Sequence, residues 1–463
     1  MRAERVARNA ARRLEGPLLA LHRDLEVGLN EAVEVIGADG ASRLGRIASI
    51  DRDMMIVEIL EATAGLSLSE LRVRFRSRPL ELAVGEQMLG RIFDGVGRPI
   101  DGGPPIAARE SRPIGGLPMN PAARSDPRDF VETGLSSIDL LNSMVRGQKL
   151  PIFSVAGLPH DRMAIDIVRH ARIRGEGAGR FAVVFAAIGI AHDTAEAFVE
   201  AMQISAALGR TALFLNLASE SSTQRLLTPR YALTAAEHLA FTEGWHVLVV
   251  LTDMTNYCEA LREVSASHGE VPGRKGYPSY LYSDLASLYE RAGLLEGHPG
   301  SLTQLPILTM PAGDISHPIP DLSGYITEGQ IVLDRALDRA DIYPPVSVLP
   351  SLSRLMKQGI GAGFTDADHP ALAQQLYSAY ARADSVRRLS RVVGAEGLPE
   401  IDREFLRFGD RFETELLDQR GARSLEQSME LGWRLLAELP PAELDRLSDA
   451  QIDRHLAPLR QAP

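Results

Sequence analysis

The chain has 463 residues, 45% of them apolar and 24% charged, enough for two or three globular domains with their own cores. Its 61 acidic side chains outweigh 50 basic ones, and a net charge of −11 argues against a sequence-tolerant nucleic-acid binder. The single cysteine, Cys258, excludes an intramolecular disulfide and suits a reducing compartment, and the longest apolar run, Phe181–Ala191 with 11 residues, is short of the ~18–20 of a membrane-spanning helix.

The first 13 residues hold five Arg and one Glu with no apolar stretch behind them, so residues 1–19 are expected to form a disordered or helical arm. From 20 to 93, short β-like runs (Ala32–Ile36, Leu44–Ile50, Met54–Leu60, Leu71–Phe75) alternate with turn residues, the pattern of a small closed barrel. A Gly- and Pro-rich joint, Gly95 to Pro127, follows. The central part, 94–363, places apolar runs at Ile152–Ala156, Ala182–Ala187, Ala212–Leu217, Val247–Thr252 and Pro306–Met310 between amphipathic helical stretches. Continuous apolar strands between helices predict a mostly parallel sheet covered on both faces. From 364 to 463 the strands stop, and Ile401, Phe405, Phe408, Phe412 and Leu416 recur at helical spacing, which predicts a helical C-terminal domain. The fold class is therefore multidomain α+β.

Lysine occurs only at 149, 275 and 357, and none precedes Ser or Thr. A phosphate loop needs a glycine-rich turn of N–H donors, a Lys on the phosphates and a hydroxyl on Mg²⁺. After the strand Ile152–Ala156 the chain instead reads Gly157-Leu158-Pro159-His160-Asp161. Pro159 lacks a backbone donor, and Asp161 repels a phosphate. Asp253 ends the strand Val247–Thr252, where a carboxylate serves either a metal's hydration shell or the cap of the next helix; without a phosphate loop beside it, capping is favoured. Arg354, in Leu349-Pro-Ser-Leu-Ser-Arg-Leu355, closes the α/β region. From the residues alone it reads as a surface or salt-bridged arginine, or as a planar cation offered to a neighbour's phosphate. The 11 histidines contain no H-x-x-x-H or H-x-x-H pair, so no metal site is expected. Gly175–Gly179 precedes a strand, the wrong order for a dinucleotide fingerprint, and Glu290-Arg291 reads as an intrahelical or interface ion pair before it reads as catalytic.

Longer segments carry a family resemblance. Gly90-Arg-Ile-Phe-Asp-Gly-Val-Gly-Arg-Pro-Ile-Asp-Gly-Gly-Pro104, Arg146-Gly-Gln-Lys-Leu-Pro-Ile-Phe-Ser154 and Gly157-Leu-Pro-His160 are three of them. Leu251–Glu263, Tyr289-Glu-Arg-Ala-Gly293, Pro306–Pro311, His317–Gln330 and Pro344–Met356 add to these. With them the chain resembles the B (beta, non-catalytic) subunit of V-type and A-type rotary ATPases over roughly residues 20–450. The resemblance implies an N-terminal β-barrel, a RecA-like α/β domain with a degenerate phosphate loop, and a C-terminal helical bundle. It also implies a head in which three B subunits alternate with three catalytic A subunits on central and peripheral stalks, the membrane being reached only through the complex. Arg354 maps onto the family's Ser-Arg-Leu arginine, which acts in trans on the A-subunit site, and Gly157, Leu158, Pro159 and His160 onto the degenerate loop. Tyr343 stands where related subunits place an aromatic near adenine.

The function these residues imply is that of a regulatory subunit of an ion-translocating ATP synthase or ATPase. No independent activity and no cofactor held by this chain alone are expected, with Mg-ATP or Mg-ADP at the interface with the A subunit and the head on the cytoplasmic side. A purely structural spacer is the alternative, and a self-sufficient hexameric ATPase is disfavoured by the missing Gly-Lys-Ser/Thr. Four segments depart from the family pattern: Ser219-Glu220-Ser221, Ala312-Gly313-Asp314, Gly276-Tyr-Pro-Ser-Tyr280 and the Arg-rich start.

Overall fold

The computed structural model describes residues 5–8, 10–116, 121–174 and 179–461. Residues 1–4 and 9 of the Arg-rich start, and residues 175–178 of the glycine run, lie outside them.

Alternating apolar residues build the first sheet. Strands β1 (Arg5–Arg8), β2 (Ala11–Glu15), β3 (Leu18–His22), β4 (Glu31–Ile36), β5 (Ser42–Ile50), β6 (Met54–Ile59) and β7 (Arg72–Pro79) run in the order β1-β7-β4-β5-β6-β3-β2, antiparallel throughout. Leu19, Leu21, Val33, Val35, Val57, Val73 and Phe75, two apart within their strands, meet in one buried cluster. The expected arm is corrected here, because residues 5–8 and 11–15 are strands of this sheet. Main-chain pairing of β1 with β7 and of β2 with β3 absorbs the segment despite its charge. Arg5 adds bonds from its guanidinium to Ser77 Oγ at 2.9 Å and to Glu31 at 3.3 Å. Composition registers the charge of a strand and misses the ladder it joins.

Beyond the barrel come strands β8 (Ile92–Asp94), β9 (Ile152–Ser154), β10 (Phe181–Ile190), β11 (Thr211–Leu217), β12 (His246–Thr252), β13 (Ser301–Thr309), β14 (Gly329–Leu333) and β15 (Val346–Ser353). Helices α1 (His160–His170), α2 (His192–Ile204), α3 (Ser222–Phe241), α4 (Met254–Ser267), α5 (Leu281–Tyr289) and α6 (Pro318–Ile326) are interleaved with them. The last region holds α7 (His369–Val393), α8 (Glu400–Arg411) and α9 (Leu425–Leu436). The central α/β domain with its mostly parallel sheet and the C-terminal helical region are thus as expected.

The chain divides into two compact units. One comprises Met1–Met119, Val183–Glu243 and Leu251–Arg291 and contains the barrel sheet. In it β8, β11 and β10 run parallel in that order, with Leu213 opposite Ile92 and Val183 opposite Thr211. Helices α3, α4 and α5 are tied together by Asp284, which accepts from Arg230 at 2.7 Å and from the Tyr257 hydroxyl. Burial then pushes the Tyr257 phenol far up, so it stays neutral and donating.

The second unit comprises Asn120–Ala182, Gly244–Val250 and Ala292–Pro463. Here β13, β9 and β14 are parallel, and β15 is added antiparallel at the end of the ladder. Pro350 sits within β15, as an edge strand permits because one row of its N–H groups has no ladder to join. In the helical region Phe405, Phe408, Phe412 and Leu416 are all buried in one core with Leu372, Leu376 and Trp433, the face that the helical spacing predicts. Glu132, almost fully buried, links the α/β part of this unit to α9: it accepts from Arg172 at 2.6 Å, from Arg174 at 2.8 Å and from the Leu425 N–H at 3.1 Å. Burial alone would raise the Glu132 carboxyl, but those hydrogen bonds hold it below its ordinary value.

Candidate functional site

The turn after β9 is where an α/β sheet holds a nucleotide's phosphates, beyond the carboxyl ends of its strands. Gly157 takes φ +90°, a left-handed conformation that glycine adopts without strain. The N–H of Leu158 is bonded to Val155 O at 3.1 Å and that of His160 to Leu158 O at 2.9 Å, while Pro159, the N-cap of α1, has no N–H. The His160 imidazole folds back, its Nδ1 lying 2.9 Å from Ser154 Oγ. Arg335 Nη2 donates to Ala156 O at 2.9 Å. Two N–H donors of this turn, those of Leu158 and His160, are therefore engaged within it, and Pro159 brings none.

Tyr343 is buried beside the same helix. Its hydroxyl donates to Asp166 at 2.6 Å, and the Arg162 guanidinium lies 3.8 Å from its ring centroid. Its main chain is fixed as well, accepting from Gln419 N at 2.5 Å and donating to Asp418 at 3.0 Å. Burial and the bond to Asp166 raise the phenol, which keeps it protonated. One face of the ring is thus occupied by Arg162. The residues at this turn do not fit a phosphate grip of their own, for they bring no lysine, one missing donor and an acidic neighbour, Asp161, whose carboxylate is 3.8 Å from His160 Nε2.

Arg354, immediately after β15, is placed differently. Its N–H donates to Glu328 O at 3.0 Å, and Nη1 donates to Thr327 O at 3.3 Å. The side chain is exposed, and among the described residues no carboxylate lies within ion-pair distance of it. A cavity of 610 Å³ opens beside it, lined among others by Leu352, Met356, Lys357, Tyr377 and Arg446 and, among the described residues, by no acidic side chain. The result is a cation with a fixed main chain and most of its guanidinium donors free.

Two other residues weighed from sequence have internal partners. Asp253 caps α4, its carboxylate accepting from the Thr255 N–H at 2.7 Å. Arg291 is buried, and its fork grips Glu237 at 2.6 and 2.7 Å. An ion pair is found, but not the intrahelical or interface one expected: Arg291 follows α5 and its partner is Glu237 on α3. Sequence reasoning missed the Arg162–Tyr343–Asp166 cluster; the four-residue spacing of Arg162 and Asp166 on α1 was its only signal.

The comparisons with known proteins agree with this arrangement at the level of class. Residues 134–353 match the ATP synthase alpha/beta family nucleotide-binding domain, and residues 358–456 match the C-terminal domain of V and A type ATP synthase. The V-type ATP synthase beta chain of Halothermothrix orenii is 50% identical over 444 residues, covering 96% of each chain. The B subunit of the A-type ATP synthase of Aeropyrum pernix is 54% identical, again over 96% of each. Among solved structures, the ATP synthase subunit NeqB of Nanoarcheaum equitans superposes with a TM-score of 0.73 at 37% identity, over 92% of this chain and 100% of that one. The chain belongs to the V-type and A-type ATP synthase beta (B) subunit family. No helix among the described residues is long and apolar enough to cross a membrane.

Proposed function

We propose that the chain is the non-catalytic B subunit of an ion-translocating rotary ATP synthase or ATPase, and that it lends Arg354 in trans to the nucleotide site of a neighbouring catalytic A subunit. The single observation behind this reading is the state of Arg354, exposed, fixed through its main chain, and free of any carboxylate partner among the described residues. A planar guanidinium with free donors suits the charge that spreads over a phosphoryl group during transfer, which an arginine from a second subunit stabilises by about 10³–10⁵ in rate. When bound at that interface, Mg²⁺ and the nucleotide supply the phosphoryl chemistry. This chain's part is to present the cation and, through the rigid ladder behind it, to hold its position. Three such chains would alternate with three A subunits on the stalks, as a peripheral head whose membrane contact is made by other subunits.

The turn at Gly157–His160 supports the same reading from the opposite side, since it has no lysine, Pro159 has no N–H, and the N–H groups of Leu158 and His160 are bonded internally. The test is Arg354→Ala in a reassembled head. The expected result is normal assembly with ATP turnover reduced by about 10³–10⁵. Near-normal turnover would overturn the role of Arg354, and loss of assembly ahead of turnover would favour a structural spacer. Separately, the purified chain alone is expected to show no ATPase activity.

A further inference from the structure

A second concave surface lies in the first unit, on elements that take no part in the site above. It is a cavity of 540 Å³ bounded by α2, by the C-terminal ends of β8 and β11 and by the segments that follow them. Its apolar lining comes from Val199, Leu215, Leu217 and Ile100, and Ile100 is 54% exposed, an open apolar side chain rather than a packed one. Its charged lining is of one sign. Glu196 and Glu200 project from α2, Asp94 ends β8 and Glu220 follows β11, while no arginine or lysine among the described residues lines it. The other titratable group facing it is His192, 3.4 Å from Glu196. Helix α2, His-Asp-Thr-Ala-Glu-Ala-Phe-Val-Glu-Ala-Met-Gln-Ile, has three carboxylates and no arginine or lysine, and Glu196 and Glu200 repel one turn apart.

The two carboxylates at the strand ends are only half satisfied. Asp94 accepts from the N–H groups of Val96 and Arg98, at 3.0 and 2.8 Å, with a single oxygen. Glu220 likewise uses one oxygen for Asn216 and Leu217, each at 2.8 Å. Burial raises both carboxyls, the charge of Asp94 adds to the rise at Glu220, and the Arg98 guanidinium at Asp94 and the Arg225 guanidinium at Glu220 offset it only in part. An incoming cation would relieve each of these costs, while an apolar side chain would cover the exposed Ile100 beside the half-buried Val199 and Leu217. The described residues form no group of three or more His, Cys, Asp and Glu that could hold a metal ion.

We propose that this groove docks a basic amphipathic segment of a partner protein, its apolar side chains on Val199, Leu215, Leu217 and Ile100 and its arginines or lysines against Glu196, Glu200, Asp94 and Glu220. Such helix-in-groove recognition takes its affinity from the apolar face and its selectivity from the charges.

The probe is a fluorescein-labelled peptide of two Leu-Arg-Arg-Leu-Leu-Arg-Arg heptads, titrated with the full chain by fluorescence anisotropy. Saturable binding that weakens with added salt is expected. Glu196→Lys with Glu200→Lys, both on an exposed helix face, is expected to weaken it about tenfold. A control pair of equal charge change, Glu430→Lys with Asp453→Lys, is expected to change it by less than about twofold. Should the lysine pair disturb folding, Glu196→Gln with Glu200→Gln is expected to weaken binding by about threefold. Absence of saturable binding, equal losses in the groove and control pairs, or equal affinity for a peptide with glycine in place of every leucine would each overturn the proposal. The last of these would mark a general polycation effect.

Discussion

The turn after β9 and the end of β15 lie in the same unit, on the same ladder of strands, and they treat their polar groups in opposite ways. At the turn, His160 reaches back to Ser154, Arg335 reaches in to Ala156, and Tyr343 is held by Asp166 and Arg162. At the strand end, Arg354 is fixed through its main chain and offers its guanidinium outward. A group satisfied within its own chain gains stability and has little left for a ligand. A group held in place but unsatisfied is available to one, because a charge-assisted bond made later is not offset by one broken first. On this comparison the first region has become structure and the second remains available for function.

The largest expected effect separates the two regions through chemistry. In the reassembled head Arg354→Ala should cost about 10³–10⁵ in turnover, and Arg354→Lys should recover little of it, because an ammonium lacks the planar fork. Recovery to near wild-type by lysine would reduce the role of Arg354 to plain charge. Next in size is the buried network at Glu132. Glu132→Ala removes the carboxylate that accepts from Arg172, Arg174 and the Leu425 N–H. Arg172 is largely solvated and Arg174 keeps Glu426, so the expected cost is about 1–3 kcal/mol in urea unfolding of the isolated chain. Because the folded Glu132 value lies below the unfolded one, its stabilisation is complete above about pH 5 and declines as the pH falls through about 4 and lower. Glu132→Gln should therefore flatten the acid limb of the stability profile; an unchanged limb would remove Glu132 from that account.

The smaller effects test the satisfied region. Tyr343→Phe removes the bond to Asp166 and should cost about 1 kcal/mol of stability, with turnover in the reassembled head unchanged within about twofold. His160→Ala should cost about 0.5–1.5 kcal/mol and also leave turnover within about twofold. A large loss of turnover in either variant would show that the turn retains a nucleotide-linked role and would erase the contrast with Arg354.

Much of this was legible in the sequence, for reasons that differ from element to element. The absence of a loop lysine is a fact of sequence, since a phosphate grip needs that side chain at that position. The apolar runs of β9 to β13 and the face of Phe405, Phe408, Phe412 and Leu416 follow from local periodicity, which burial on one or two faces imposes directly. Other features depend on partners distant in the chain. The ladder that makes strands of the Arg-rich start, the Glu237 partner of Arg291, and the Arg162 that covers Tyr343 each join residues whose spacing carries no period.

The sequence by itself determined the class of elements, the three kinds of region, the family, and the identity of the arginine to examine. Only the tertiary structure decided which polar groups are already engaged, and so which are left for another molecule. It drew Tyr343 and His160 into internal bonds, left Arg354 outside them, and brought Asp94, Glu196, Glu200 and Glu220 around one apolar floor. The physical reason is that local periodicity encodes burial. Hydrogen-bond satisfaction and charge complementarity are set by contacts between residues far apart in sequence.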